Sequence, residues 1–358
     1  MIAPAPRRVL IVKPSSLGDV VTALPILRAL RRAFPDAHLA WLVTGACKGI
    51  LAGETDLDEI IEFDRRRYGQ MVRSRRAGGE FVGFCRRLRR RRFDWVVDAQ
   101  GLFRSAFLAW ASGAGVRAGF AGTREPAGMF YTHRIASDAV HTVDRNLQLA
   151  RGLGLDARPA DLTLTVSPAG QAAAEALLAE HGLGAGDYVV VAPGTRWANK
   201  LYPTRRWRAV VEALAARRPV VLVGAPDERA LCAPLASETE QVIDLSGRTD
   251  LQALAGVTAR AAGVICCDSA ANFIAPAVGT RFVTLCGPTR PEHTGPYGPL
   301  GRAVAAEVPC AGCRRRRCRH ATCMETIAPA RVIAAAERML DAADASPAAA
   351  TPAGRPNA

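Results

Sequence analysis

The sequence contains no apolar run approaching the ~20 residues needed to cross a bilayer. Met1 to Arg8 carry no hydrophobic stretch of signal-peptide type, so the chain is expected to work in the cytoplasm. Neither half opens on Gly-x-Gly-x-x-Gly, and no Walker lysine loop occurs. Dinucleotide-dependent dehydrogenases and P-loop NTPases are therefore unsupported. Gly-x-Ser-x-Gly and His-Glu-x-x-His are missing too, and with them the usual serine-hydrolase and zinc-protease signatures. No helix-turn-helix, RNP sequence or aromatic-studded basic strand is found, so nucleic acid is not an expected partner.

At 358 residues the chain exceeds one ordinary core, and two domains are the default. Hydrophobic residues at 49% and charged residues at 22% describe a globular protein. Lysine and arginine outnumber acids by 47 to 33, leaving +14. The excess is concentrated in Arg65–Arg67, Arg86–Arg92 and Arg314–Arg317. Such a surface suits phosphorylated substrates or an anionic membrane. Ten cysteines in a chain without a signal sequence do not read as disulfides. Cys47, Cys85, Cys232, Cys266, Cys267 and Cys286 lie in apolar surroundings and read as core thiols.

The stretch from Arg8 to Val21 organises the rest. Val9 to Val12 form an uninterrupted apolar run, the pattern of a central parallel strand. A polar turn, Lys13-Pro14-Ser15-Ser16-Leu17-Gly18, follows; Val20, Val21, Leu24, Leu27 and Leu30 then recur at helical spacing. Ligands of open α/β sheets sit at the carboxyl ends of the strands, where this turn lies. Asp19, in the first turn of that helix, has two readings: an acid stabilised by the helix dipole, or a carboxylate presented to a substrate hydroxyl as a general base.

The alternation continues. Residues 37–43 and 59–63 read as strands. Asp56-Leu57-Asp58 has a metal-binding spacing, yet precedes a strand in an acid-rich loop and reads as a turn. Phe81 to Arg92 is a basic amphipathic helix. Residues 93–98 are a strand delivering the loop Ala99-Gln100-Gly101-Leu102-Phe103-Arg104-Ser105, expected beside the first loop. Residues 141–154 read as a helix. A proline-containing linker over 156–169 separates domains at 1–160 and 170–335, and an Ala/Pro-rich tail, 345–358, is expected to be disordered. In the second half, strands are expected at 188–192, 219–224, 242–245, 263–268 and 282–286, the last of the sheet. A final helix, 329–342, is expected to cross back onto the first domain.

Two α/β halves predict two Rossmann-like domains facing a central cleft. In the second half, strand-to-helix junctions at Asp268-Ser269 and Gly287-Pro288-Thr289 suit phosphate held by backbone N–H groups. Arg196 and Lys200 are placed to neutralise a departing pyrophosphate, and Glu228 to accept from ribose hydroxyls. An acid in one half and a phosphate cradle in the other describe a sugar-nucleotide glycosyltransferase.

Lys13-Pro14-Ser15-Ser16-Leu17-Gly18-Asp19, Asp98-Ala99-Gln100-Gly101-Leu102, Arg124-Glu125-Pro126, Pro193-Gly194-Thr195 with Lys200, Gly224-Ala225-Pro226-Asp227-Glu228 and Asp268-Ser269 resemble the ADP-heptose:lipopolysaccharide heptosyltransferases, glycosyltransferase family 9. The matches run in family order from about residue 8 to 335. The resemblance implies a GT-B fold and inverting, metal-independent transfer of heptose from ADP-heptose to a lipopolysaccharide inner-core acceptor, at the cytosolic face of the inner membrane. It implies Asp19 as the base and Lys200 on the donor phosphates. Thr195, Arg196, Asp268 and Ser269 would bind the donor, with Glu228 at its ribose. Ser15, Ser16, Gly18, Gln100, Arg104 and Arg124 complete the substrate-binding set. Three positions depart from the family pattern: Ala270 stands in place of a glycine, Phe273 in place of a histidine, and Arg104 where several members have lysine. They leave room for another acceptor, another nucleotide sugar or a non-catalytic nucleotide-sugar-binding protein.

Cys310, Cys313, Cys318 and Cys323 fall within fourteen residues and open on Cys-x-x-Cys. Such a set suits one tetrahedral zinc or iron with a structural role; reduced thiols on a loop is the other reading. No cofactor is expected for transfer itself.

Overall fold

The computed structural model describes residues 4–71, 73–123, 125–236 and 239–345, which form two compact units, Met1–Pro168 and Ala169–Ala358. In the first, β1 (Arg8–Val12), β2 (His38–Val43), β3 (Glu59–Glu62), β4 (Trp95–Asp98), β5 (Val116–Phe120) and β6 (His133–Ile135) make one sheet in the order β3-β2-β1-β4-β5-β6. In the second, β7 (Val189–Ala192), β8 (Val220–Leu222), β9 (Val242–Asp244), β10 (Gly263–Cys267), β11 (Phe282–Cys286) and β12 (Gly301–Ala305) run β12-β11-β10-β7-β8-β9. Every pairing is parallel.

Counted within its own unit, each sheet is therefore 3-2-1-4-5-6, the doubly wound order. The order reverses between β1 and β4 in one unit and between β7 and β10 in the other. Connections on either side of such a point lead away in opposite directions, so the loops leaving those two strands border a crevice. Val12 pairs with Asp98, which sets the loops after β1 and β4 side by side. Cys266 pairs with Ala192, with the same result for the loops after β7 and β10.

Both sheets are apolar on both faces. β1, β2, β4, β7, β10 and β11 are buried almost throughout, as helix-covered parallel strands must be. Trp41 and Trp95 fill the first core; Phe34 meets Trp95 edge-on at 5.5 Å. In the second, Trp207 is fully buried and meets Tyr202 edge-on at 5.4 Å.

Several elements differ from expectation. The first helix is two, Leu17–Thr22 and Leu24–Ala33, because Pro25 has no N–H to continue the turn before it. β5, β6 and β12 were not foreseen. β5 reads Val-Arg-Ala-Gly-Phe, poor in strand formers, and tolerates Gly119 because the Tyr131 ring fills the space a Cβ would need. β6 is three residues long, and β12 is an edge strand with exposed Arg302. The segment read as a linker is packed onto the first unit: Arg32 pairs with Asp161 at 2.7 Å, and Thr165 donates its N–H to Glu54 at 3.0 Å. The last helix is Pro329–Ala345. Val332, Ala336, Met339 and Leu340 bury into the second unit's own core. Residues 346–358 of the expected tail lie outside the described residues. Among the described residues no helix is long and apolar enough to cross a membrane.

The acidic turn at 56–58 is a structural arginine clasp. Arg28 pairs with buried Glu54 and, at 2.8 Å, with Asp56, and Arg31 reaches Asp58 at 2.7 Å. Burial pushes the Glu54 carboxyl above its usual range despite Arg28. Arg28→Ala leaves that acid without its partner, and should destabilise the protein by about 3–5 kcal/mol in urea unfolding. Arg28→Met with Glu54→Leu should recover most of the loss. The Arg28→Ala protein should also lose stability as pH rises from the carboxylate range toward neutrality, because folded Glu54 then holds a proton that the unfolded chain releases.

Candidate active site

In the first unit, the loops on either side of the sheet reversal are tied together by a lysine. Lys13 is buried, and its Nζ donates to the Ala99 carbonyl at 2.8 Å, across from the loop after β1 to the loop after β4. The same Nζ lies 3.8 Å from Asp19 Oδ1. Asp19 Oδ2 accepts from the Ser16 N–H at 2.9 Å and from the Ser16 hydroxyl at 2.6 Å, the reciprocal half of a capping box. The helix-terminus reading of this acid therefore has contacts behind it, and one oxygen remains for the other reading. Oδ2 caps the helix, while Oδ1 carries only the distant lysine and the side chain stays 40% exposed. Ser15 and Ser16, joined by a cis peptide, flank it half-buried, and Gly18 is buried in the first turn.

Asp98 closes β4 fully buried, and burial pushes its carboxyl above the usual range. The Tyr131 hydroxyl donates to it at 2.7 Å, and the N–H groups of Gln100 and Gly101 at 2.9 and 3.2 Å, pulling the other way. Asp98 thus shapes the loop rather than serving as an open acid. Gln100 is held half-buried there, its Oε1 buried with no donor among the described residues. A buried acceptor without a partner is costly, and a ligand hydroxyl would satisfy it. Arg104 lies one turn on, exposed, in the helix Phe103–Ala111. Arg124 lies outside the described residues. Its neighbour Glu125 accepts from the Phe103 N–H at 2.6 Å and joins that loop to the helix.

The second unit repeats the arrangement with an ion pair. Lys200 Nζ donates to Asp268 Oδ2 at 2.9 Å, linking the loops after β7 and β10. The Thr195 hydroxyl donates to the Asp268 carbonyl at 3.3 Å. The same ammonium sits 4.4 Å from the centre of the Trp197 ring, and Arg316 lies at 5.0 Å from that ring. Thr294 adds a hydroxyl to Asp268 Oδ2 at 3.3 Å. Ser269 is half-buried at the same edge, and Arg196 is exposed. Glu228 lies over the loop after β7: a Cβ at Gly194 would overlap its carboxylate, so any larger residue there would displace that side chain. Glu228 Oε2 accepts from the Ala225 N–H at 2.8 Å, leaving Oε1 for another donor.

The structure thus groups Ser15, Ser16, Gly18, Asp19 and Gln100 at one crevice, and Thr195, Lys200, Glu228, Asp268 and Ser269 at the other. It adds residues given no role from the sequence: Lys13, Trp197, Thr294 and Asn272. A charged residue directly after a fully apolar strand was the available signal for Lys13. Nothing in the local pattern marked Asn272, fully buried, which donates to the Thr294 carbonyl at 2.8 Å and accepts from the Thr284 hydroxyl at 2.7 Å. Ala270 has right-handed helical angles, φ −63° and ψ −31°, so alanine brings no backbone strain. Phe273 is buried.

Cys310, Cys313, Cys318 and Cys323 line one cavity of about 150 Å³ with His320, Asn199 and Pro288. Among the described residues no three or more His, Cys, Asp or Glu side chains make a group that could hold a metal ion. The thiols sit at different depths: Cys310 and Cys313 are exposed, Cys318 is half-buried and Cys323 is buried. All four are free thiols.

Two doubly wound sheets in one chain, each with polar loops gathered at its point of reversal, define a GT-B glycosyltransferase. Escherichia coli heptosyltransferase WaaC, solved with ADP-2-deoxy-2-fluoro heptose, shares this architecture. Its TM-score is 0.73 at 28% identity, over 92% of this chain and 99% of that one. The chain belongs to glycosyltransferase family 9 (heptosyltransferase), whose family model matches residues 82–324. It is 32% identical over 317 residues to lipopolysaccharide heptosyltransferase 1 of Pseudomonas aeruginosa, covering 87% of each chain. It is 31% identical to lipopolysaccharide heptosyltransferase 1 of Escherichia coli K12, over 81% of this chain and 91% of that one.

The cysteines can be tested directly. Burial pushes the thiols of Cys232 and Cys267 up to about 12 and raises those of Cys266 and Cys286 as well. Native alkylation followed by peptide mapping should modify Cys310 and Cys313 first and these four only on unfolding. Equal protection of Cys310, Cys313, Cys318 and Cys323 that a chelator abolishes would instead mean a metal holds them.

Proposed function

We propose that this glycosyltransferase moves a heptose from ADP-heptose to a lipopolysaccharide inner-core acceptor, with inversion and without a metal ion in the chemical step. The observation that carries the reading is Asp19, a half-exposed carboxylate whose Oδ2 is fixed by Ser16 while Oδ1 stays available. The lipopolysaccharide heptosyltransferases among its relatives, and the ADP-heptose analogue in the WaaC structure, support the choice of sugar and acceptor.

In the proposed reaction Asp19 Oδ1 takes the proton of an acceptor hydroxyl as that oxygen attacks the anomeric carbon from the face opposite ADP. The bond from that carbon to the diphosphate oxygen breaks, its electron pair leaves with ADP, and the configuration inverts. The 1–160 region binds the acceptor: Ser15, Ser16, Gly18, Gln100 and Arg104 contact it, and Lys13 keeps the two loops together. The 170–335 region binds the donor. Lys200 commits one of its three N–H donors to Asp268, leaving two for diphosphate oxygens. Arg196 adds charge, Thr195 and Ser269 add hydroxyls, and Glu228 Oε1 meets the ribose. A lipid-linked acceptor places the enzyme at the cytosolic face of the inner membrane, with no nucleic acid partner.

Asp19→Ala should lower kcat by about 10²–10⁴-fold, the usual worth of a general base. Its ADP affinity in calorimetric titration should stay within about threefold, because the lost interaction belongs to the transition state. Equal loss of both would make Asp19 structural. Phe273, where the family pattern has a histidine, favours a second reading with another sugar nucleotide or none turned over. Titration with ADP, UDP and GDP separates them: ADP should bind at least about tenfold tighter, a difference of about 1.4 kcal/mol, and no preference removes the heptose reading.

A further inference from the structure

Phe103–Ala111, the turn Pro126–Phe130 and the helix Arg75–Arg90 together bring a row of rings to the surface of the first unit. Phe81 stacks on Phe107 at 6.0 Å; Phe107 lies 5.5 Å from Trp110 and 5.9 Å from Phe130; Phe103 meets Phe130 at 5.2 Å. Ala106, Ala127 and Tyr131 support the row from below. Above it the side chains are open to solvent: Met129 is 67% exposed, Trp110 51% and Phe103 40%. Large apolar side chains gathered in one patch mark an interaction surface.

The charges beside the row narrow the partner. Arg117 donates to the carbonyls of Phe130 and Ala114 at 2.8 and 2.6 Å, and Arg134 to that of Gly128 at 2.9 Å. Carbonyl partners fix a guanidinium without cancelling its charge. Arg89 lies along Gly113, just past the helix that carries Trp110. The one acid of the helix Arg75–Arg90, Glu80, is already taken by Arg67 and Arg76. An aromatic ridge edged by arginines with no carboxylate partner among the described residues matches an anionic lipid interface, where rings enter the headgroup layer and arginines meet phosphates.

We propose that this ridge is the surface by which the protein rests on an anionic bilayer, with Trp110, Met129 and Phe103 entering the lipid and Arg89, Arg117 and Arg134 on its phosphates. The proposal deepens the function above, on which it rests for choosing a lipid over a protein partner. It also places the Gln100 loop at the membrane, since Phe103 follows Gly101 and Leu102 directly. An acceptor anchored by its lipid would present its sugar there.

The test is co-sedimentation of the full chain with vesicles rich in phosphatidylglycerol and with vesicles of phosphatidylcholine alone, no sugar nucleotide being added. The anionic vesicles should bind the protein, and binding should weaken as salt rises. Trp110→Ser with Met129→Ser should weaken it about tenfold, the worth of a few buried methylenes. Arg89→Glu with Arg134→Glu should weaken it about fivefold or more for each arginine reversed. Both variants should unfold like the parent and use a soluble, deacylated acceptor equally well, yet fail in parallel with binding on acceptor embedded in vesicles. Binding without lipid preference, binding indifferent to either variant, or a dimer split by Trp110→Ser in place of lost vesicle binding would each overturn the proposal. Ridge-dependent vesicle binding without heptosyl transfer would leave the docking surface intact and overturn the proposed reaction alone.

Discussion

The polar edge of the first unit depends on one buried ammonium. Lysine is seldom buried, and Lys13 is tolerated because its charge finds the Ala99 carbonyl and, farther off, Asp19. That contact spans the place where strand order reverses, so it couples two loops that are 86 residues apart in the chain. The second unit meets the same need with Lys200 and Asp268, 68 residues apart. In each case a lysine crosses from the first strand of the sheet to the fourth. The topology opens the crevice, and the cation keeps its walls at a fixed spacing.

Around the second lysine the structure absorbs one departure from the family pattern. Alanine fits at 270 because the backbone there needs no left-handed conformation. Asn272 connects to the site indirectly: it holds the Thr294 carbonyl, and Thr294 places its hydroxyl on Asp268. Removing that amide would take away the acceptor of the Thr284 hydroxyl and loosen the segment that orients the Asp268 carboxylate. Residues that never meet a substrate thus decide where the charged ones point.

Arginine serves several ends in this chain. Arg28, Arg31 and Arg32 are structural, each spent on carboxylates or carbonyls that bind the 54–58 and 156–165 segments to the first sheet. Arg117 and Arg134 are fixed by neutral carbonyls, so their charge persists at the surface. The net charge of +14 could not distinguish these uses. Only the identity of each guanidinium's acceptor separates a fastening from a field.

Local pattern carried most of the architecture. Apolar runs such as Val9–Val12 and Val189–Val191 declare buried parallel strands whatever surrounds them, since only a strand covered on both faces profits from such a run. The motif from Lys13 to Asp19 likewise named a strand-turn-helix and an acid in its first turn. Short or irregular strands were illegible: β5 holds an arginine and a glycine, and its Gly119 makes sense only once Tyr131 stands against it. The cysteines show the opposite limit, with spacing suited to a metal but depths that differ from one thiol to the next. By itself the sequence determined the two α/β halves, the family and the candidate acid, because these follow from periodicity and from residues adjacent in the chain. Tertiary structure alone decided that Lys13 secures the loop after β4, that Asp268 holds Lys200 and that scattered rings form one surface, because each contact joins residues whose separation along the chain carries no record of their approach.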